Sequence, residues 1–128
     1  MTLDLVLKHK WYDMIASGEK REEYRDVDTW AHRLLWWMRQ GTTYTRMRKK
    51  ELEKYFSFLP QYDNVTQIKN ELRITAFSFL PYDTVRFHRG YTSTTMDFKI
   101  EEITIGRGNP EWGAPDYETF IIKLGERL

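Results

Sequence analysis

The chain has no cysteine among its 128 residues, which excludes disulfides, thiolate metal ligands and a cysteine nucleophile together. Proline and glycine are scarce at 4 and 7 residues, too few for a low-complexity or broadly disordered chain. Neither sign of charge dominates: 20 Lys/Arg face 19 Asp/Glu, a net +1, which argues against a broad nonspecific nucleic-acid footprint. Residues 1–64 hold 12 basic against 10 acidic side chains and residues 65–128 hold 8 against 9, so any anion site has to be local. Apolar runs such as Leu34-Leu35-Trp36-Trp37-Met38 are far too short to span a bilayer. Met1–Val6 lacks a basic segment ahead of an apolar stretch, so no signal peptide is expected. His9, His32 and His88 show no metal-ligand spacing, and no metal or other cofactor is expected. These absences predict a single cytoplasmic domain over residues 1–128 that does not enter a membrane.

What the chain does have is 41% hydrophobic and 16% aromatic residues, enough for a packed core. Leu3, Leu5 and Leu7 alternate as in a short strand. Trp11, Met14 and Ile15 then recur at helical spacing, and Gly18 follows where a residue free to take positive φ ends helices. Lys20–Arg25 is a second extended segment. From Asp26 the pattern turns helical: Asp28 or Thr29 caps a helix carrying Trp30, Leu34, Trp37 and Met38, stopped by Gly41. A further helix is predicted from about Thr45 to Leu59, with Leu52, Tyr55, Phe56 and Leu59 on one face and Pro60 ending it. Asn64 and Gln67 open a third, ahead of Val65, Ile68 and Leu72. Arg73–Leu80 is ambiguous. Thr84–His88, Thr95–Thr104 and Glu118–Leu124 alternate as strands, with a bulge near Glu101-Glu102. Five short strands suit a small closed barrel.

The densest charged segment is Gly18-Glu19-Lys20-Arg21-Glu22-Glu23-Tyr24-Arg25, at the junction of helix and strand. In a strand Glu23 and Arg25 project to one face, and Gly18 can re-aim Lys20 toward them. A Lys and a Glu held together favour each other's charged forms, while partial burial lowers the lysine pKa toward that of a base. Arg25 offers a planar fork for a phosphate, a carboxylate or a base edge. The competing structural reading is an ion-pair network that pins the helix to the barrel.

Gly18, Lys20, Glu23 and Arg25 fit G-x-K-x-x-E-x-R, which resembles the signature of the ASCH domain family, a branch of the PUA-like fold. Leu7-Lys8, Ile15, Gly90-Tyr91, Trp112-Gly113-Ala114 and Phe120–Gly125 also look like that family, so the resemblance covers roughly residues 3–25 and 82–125. It implies an α+β fold: a small, mostly antiparallel PUA-like β-barrel, a helix after the first strand, and a helical insertion over about residues 26–72. It further implies a working cleft beside the motif that binds RNA or a nucleotide-like ligand. In that reading Lys20 and Arg25 meet phosphate or base-edge acceptors, Glu23 positions them, and Tyr24 or Trp112 stacks. Some members are small amidohydrolases that deacylate a modified cytidine with a Lys and a Thr of this motif and a later Glu. Lys20 matches the Lys, Glu23 stands where the Thr is expected, and Glu111 is the candidate for the later Glu. Lys20, Glu23 and Glu111 are thus the catalytic set of the alternative, an N4-acetylcytidine-like deacylase. An ionised carboxylate cannot supply the hydroxyl's donor at position 23.

Other features have plainer readings. Arg46, Arg48, Lys49 and Lys50 could track a phosphate backbone but also read as the solvated face of a helix. Trp30, Trp36, Trp37, Tyr44 and Tyr62 could stack on bases, yet aromatic residues at helical spacing usually fill a core. Trp36 lies off the apolar stripe, which leaves a third reading: a protein-interaction domain built on the insertion, with an apolar patch around Trp36. Gly106-Arg107-Gly108 reads as a turn, without the strand-to-helix context of a nucleotide loop.

Overall fold

The computed structural model describes residues 1–39, 41, 43–58 and 60–128. Along the chain run β1 (Thr2–Leu7), α1 (His9–Ala16), β2 (Glu22–Arg25), α2 (Val27–Leu34), β3 (Leu35–Arg39) and β4 (Thr43–Arg46). There follow α3 (Lys49–Ser57), α4 (Asn64–Arg73), β5 (Phe77–Phe79), β6 (Thr84–Arg89), β7 (Thr95–Gly106), a 3-10 turn (Pro110–Trp112) and β8 (Thr119–Arg127). The class is α+β. The chain, read from sequence as one domain, forms two compact units: Met1–Arg25 with Pro81–Leu128, and Asp26–Leu80. Among the described residues no helix is long and apolar enough to cross a membrane.

The first unit is built on a five-stranded sheet in the order β1-β6-β7-β8-β2. β1 runs parallel to β6, and every other pairing in the sheet is antiparallel. Alternation along β1 buries Leu3, Leu5 and Leu7 on one face, with Leu3 opposite Val85 and Leu5 opposite Phe87, and the unit's core also holds Met96, Phe120 and Ile122. Full burial of side chains such as Phe87 and Phe120 contributes about 1.5–3 kcal/mol each. The long strand β7 serves both neighbours, pairing β6 with its first half and β8 with its second. Its register slips between Phe98 and Ile100 and again between Ile100 and Glu102, at the place where the pattern predicts a bulge. Such slips bend a strand and raise its twist, which curls the sheet.

That curl stops at a half-barrel. The closed barrel expected from sequence is corrected here, because β1 and β2 stand at opposite ends of the strand order. β2 has only four residues, all spent on pairing β8, and offers no second ladder to β1. The Arg25 side chain crosses that seam instead, donating from Nη2 to the Val6 carbonyl at 3.1 Å.

The second unit is not the wholly helical block expected over 26–72. Three helices accompany a three-stranded sheet, β4-β3-β5, and its core includes Ala31, Leu34, Leu35, Leu52, Ile68 and Phe77. The helix expected through Trp37 and Met38 ends at Leu34, and β3 takes over. Trp37 pairs across the sheet with Thr45 and Phe77, partners 8 and 40 residues away that no local periodicity reveals. Gly41, at φ 73°, therefore sits between two paired strands instead of ending a helix. α2 is capped by Asp26, whose carboxylate accepts from the Thr29 N–H at 3.1 Å, and not by the expected Asp28 or Thr29. α4 is likewise capped by Asp63. The helix predicted from about Thr45 begins at Lys49 instead, because Thr43–Arg46 pair as β4. Leu59, expected on its inner face, lies outside the described residues.

Candidate functional site

Two local devices deliver Lys20 to the site. Gly18 adopts φ 85°, a conformation L side chains resist, and the chain folds back so that the Lys20 N–H donates to the Met14 carbonyl at 3.0 Å. β2 then begins at Glu22, and its pairing with β8 holds Glu23 opposite Ile122 and Arg25 opposite Phe120. With a two-residue side-chain period, Glu23 and Arg25 emerge on the same face.

The three motif side chains form one charged chain. Lys20 Nζ lies 3.2 Å from Glu23 Oε1, and Arg25 Nη2 lies 2.8 Å from Glu23 Oε2. Lys20 is only 2% exposed and Glu23 6%, while the Arg25 side chain reaches 17%. The ammonium also donates to the Trp112 carbonyl. It packs 4.7 Å from the centroid of the Tyr24 ring and 5.0 Å from that of Trp11. Two acceptors and two aromatic faces therefore surround it, the arrangement a desolvated cation requires. Burial nonetheless pushes the Lys20 pKa below the ordinary lysine value, with the Glu23 carboxylate pulling the other way.

Tyr24 ties the motif to the loop after β7. Its hydroxyl donates to Glu22 Oε1 at 2.7 Å and accepts from the Asn109 N–H at 3.0 Å. Burial, opposed by that N–H and reinforced by the Glu22 carboxylate, pushes the phenol pKa upward. The loop approaches the ring so closely that a Cβ on Gly108 would stand 2.3 Å from it, which only glycine permits. From there the 3-10 turn brings the Trp112 carbonyl onto Lys20.

The sequence-predicted residues thus divide. Lys20, Glu23, Tyr24 and Arg25 come together. Trp112 reaches the cluster through its carbonyl, and its half-buried ring lines a cavity of about 180 Å³ with Arg21, Glu22 and Lys123. Glu111 is exposed and uses its N–H on the Asn109 side chain at 2.9 Å; the carboxylate paired with Lys20 is Glu23. Among the described residues no group of His, Asp and Glu could hold a metal ion. His88 pairs with Asp4 at 2.9 Å.

Where the charged chain surfaces, at the seam between β1 and β2, a cleft of about 430 Å³ opens, lined by Val6, Leu7, Lys8, Arg25, Gly90 and Tyr91. Protein-family models, curated proteins and solved structures offer no match to this chain. The cleft carries two cationic side chains, Lys8 and Arg25, and no carboxylate among its lining residues. Tyr91 at its rim is 99% exposed. A cleft of this makeup suits an anion bearing a flat apolar part. Sequence reasoning noticed Leu7-Lys8 and Gly90-Tyr91 only as flanks of the motif, and Trp11 only as part of a helical face. The parallel pairing of β1 with β6 sets Leu7 beside Arg89, which brings both flanks to one place.

Proposed function

We propose that the first unit is an ASCH-like, PUA-like module that binds RNA or a nucleotide-like ligand at the seam cleft. The observation that carries this reading is the chain Lys20–Glu23–Arg25, buried at one end and lining the 430 Å³ cleft at the other. Lys20 and Glu23 act from behind: they hold the Arg25 guanidinium in one orientation, which saves ordering entropy when a phosphate or base edge arrives. Lys8 adds a second positive charge, and Tyr91 supplies a ring on which a base can stack.

Binding is preferred to deacylation because Lys20 Nζ is buried and already bonded to the Trp112 carbonyl and Glu23, whereas Arg25 faces the cleft. The test is a titration with a nucleoside monophosphate at low salt. Arg25→Ala is expected to weaken its binding by about tenfold or more, the loss typical of a charge-assisted contact. Absence of binding to the intact protein, or an affinity for the monophosphate unchanged in a folded Arg25→Ala variant, would remove this reading.

A further inference from the structure

The second unit carries a surface that the cleft does not use. Residues 26–80 hold nine Lys/Arg against six Asp/Glu, a net +3, while the rest of the chain holds eleven against thirteen, a net −2. A chain that looks neutral in total has therefore segregated its charge.

The basic excess adjoins an ordered pair of rings. In the β4-β3-β5 sheet Trp36 stands opposite Arg46, and Met38 stands opposite Tyr44. Directly opposed residues share a face, so Trp36, Tyr44 and Arg46 project together. The Trp36 and Tyr44 rings stack with centroids 5.6 Å apart and planes 14° from parallel. The Tyr44 hydroxyl donates to the Thr75 carbonyl at 2.8 Å, which fixes that ring in place. Arg46, Arg48, Lys49 and Lys50 are all exposed, and the buried Met47 between them anchors the strand end. The opposite face of the sheet is engaged within its own unit: Phe77 meets Tyr55 of α3, and Arg39 pairs with Glu51 at 2.7 Å.

We propose that this Trp36/Tyr44/Arg46 face, continued by Arg48, Lys49 and Lys50, is a platform for single-stranded nucleic acid. An unpaired base continues the two-ring stack, and the backbone phosphates pass along the basic run. Stacking of this kind tolerates any base sequence, and the cations supply salt-dependent affinity. A duplex conceals its base faces and gains only the electrostatic part. The platform uses no residue of the seam cleft, so either can fail without the other.

The intact protein is titrated with a fluorescein-labelled uridine dodecamer and with the corresponding duplex, at low and at physiological salt. Tight binding of the single strand and weaker binding of the duplex are expected. Arg46→Ala/Lys49→Ala/Lys50→Ala, which alters only exposed side chains, should weaken the dodecamer about tenfold or more and flatten its salt dependence. Tyr44→Leu should cost about tenfold by removing one ring of the stack. Should that variant fail to fold, the quenching of tryptophan fluorescence by the dodecamer, retained in Arg25→Ala, reports the same contact. Failure of the dodecamer to bind, duplex bound as tightly, or binding lost in Arg25→Ala yet unchanged in the triple variant would each overturn the platform.

Discussion

Lys20 is the residue on which the site's electrostatics turn. A lysine pKa depressed by burial means that the folded protein releases this proton before the unfolded chain does. Between the lowered value and the ordinary 10.5 the unfolded state therefore binds more protons, and stability is expected to rise with pH across that window. Tyr24 works in the opposite direction. Its phenol is raised above 10.0, so the folded chain keeps a proton that the unfolded chain loses, and stability falls once the pH passes 10.0. The Lys20 contribution is thus read below pH 10.0, from urea midpoints collected at increasing pH. The native chain should show an upward slope that Lys20→Met lacks; equal slopes would mean that another group titrates there. The pairing of Lys20 with Glu23 was legible in the spacing of the octapeptide. The Trp112 carbonyl was not, because it comes from a loop about ninety residues away.

At the scale of elements, strands with alternating burial were the easiest to read. β1, β6 and the slipped β7 stand close to their expected places because each carries its own two-residue alternation. The α2–β3 junction was misread for the same physical reason in reverse. Trp30, Leu34, Trp37 and Met38 fit a helical stripe, and only the Thr45 and Phe77 partners turn Trp37 into a strand residue. The loop after β7 offers a direct test of how tightly elements are fitted around the motif. Gly108→Ala places a Cβ against the Tyr24 ring and has no flexible chain end to displace. Thermal or urea unfolding should show a loss of about 1–3 kcal/mol, the usual cost of overpacking. An unchanged midpoint would show that the loop moves away freely and does not clamp Tyr24.

For the whole molecule, the division into two compact units has a thermodynamic consequence. Each unit buries its own apolar set, Leu3 to Leu124 in one and Val27 to Leu80 in the other, so each can open as a cooperative block. Native-state hydrogen exchange should separate the amides of β6–β8 from those of β3 and β5 into two protection classes with different free energies. A single free energy shared by all slow amides would make the units one cooperative block. The same division explains why the net charge of +1 says so little about partners: opposite excesses of +3 and −2 cancel in the sum.

Sequence alone determined the α+β class, the strand–helix–Gly–strand opening and the meeting of Lys20, Glu23 and Arg25. Each of these depends on neighbours within a few residues, where side-chain period and glycine freedom act directly. Tertiary structure alone decided that the sheet stays open between β1 and β2, that β3–β5 interrupt the helical block, and that Glu111 is exposed. Those outcomes depend on which distant backbone groups pair, and a local side-chain pattern does not name the distant partner. The cleft at the seam follows from that pairing, since it lies where β1, β2 and the end of β6 leave a side chain, Arg25, to bridge what no ladder joins.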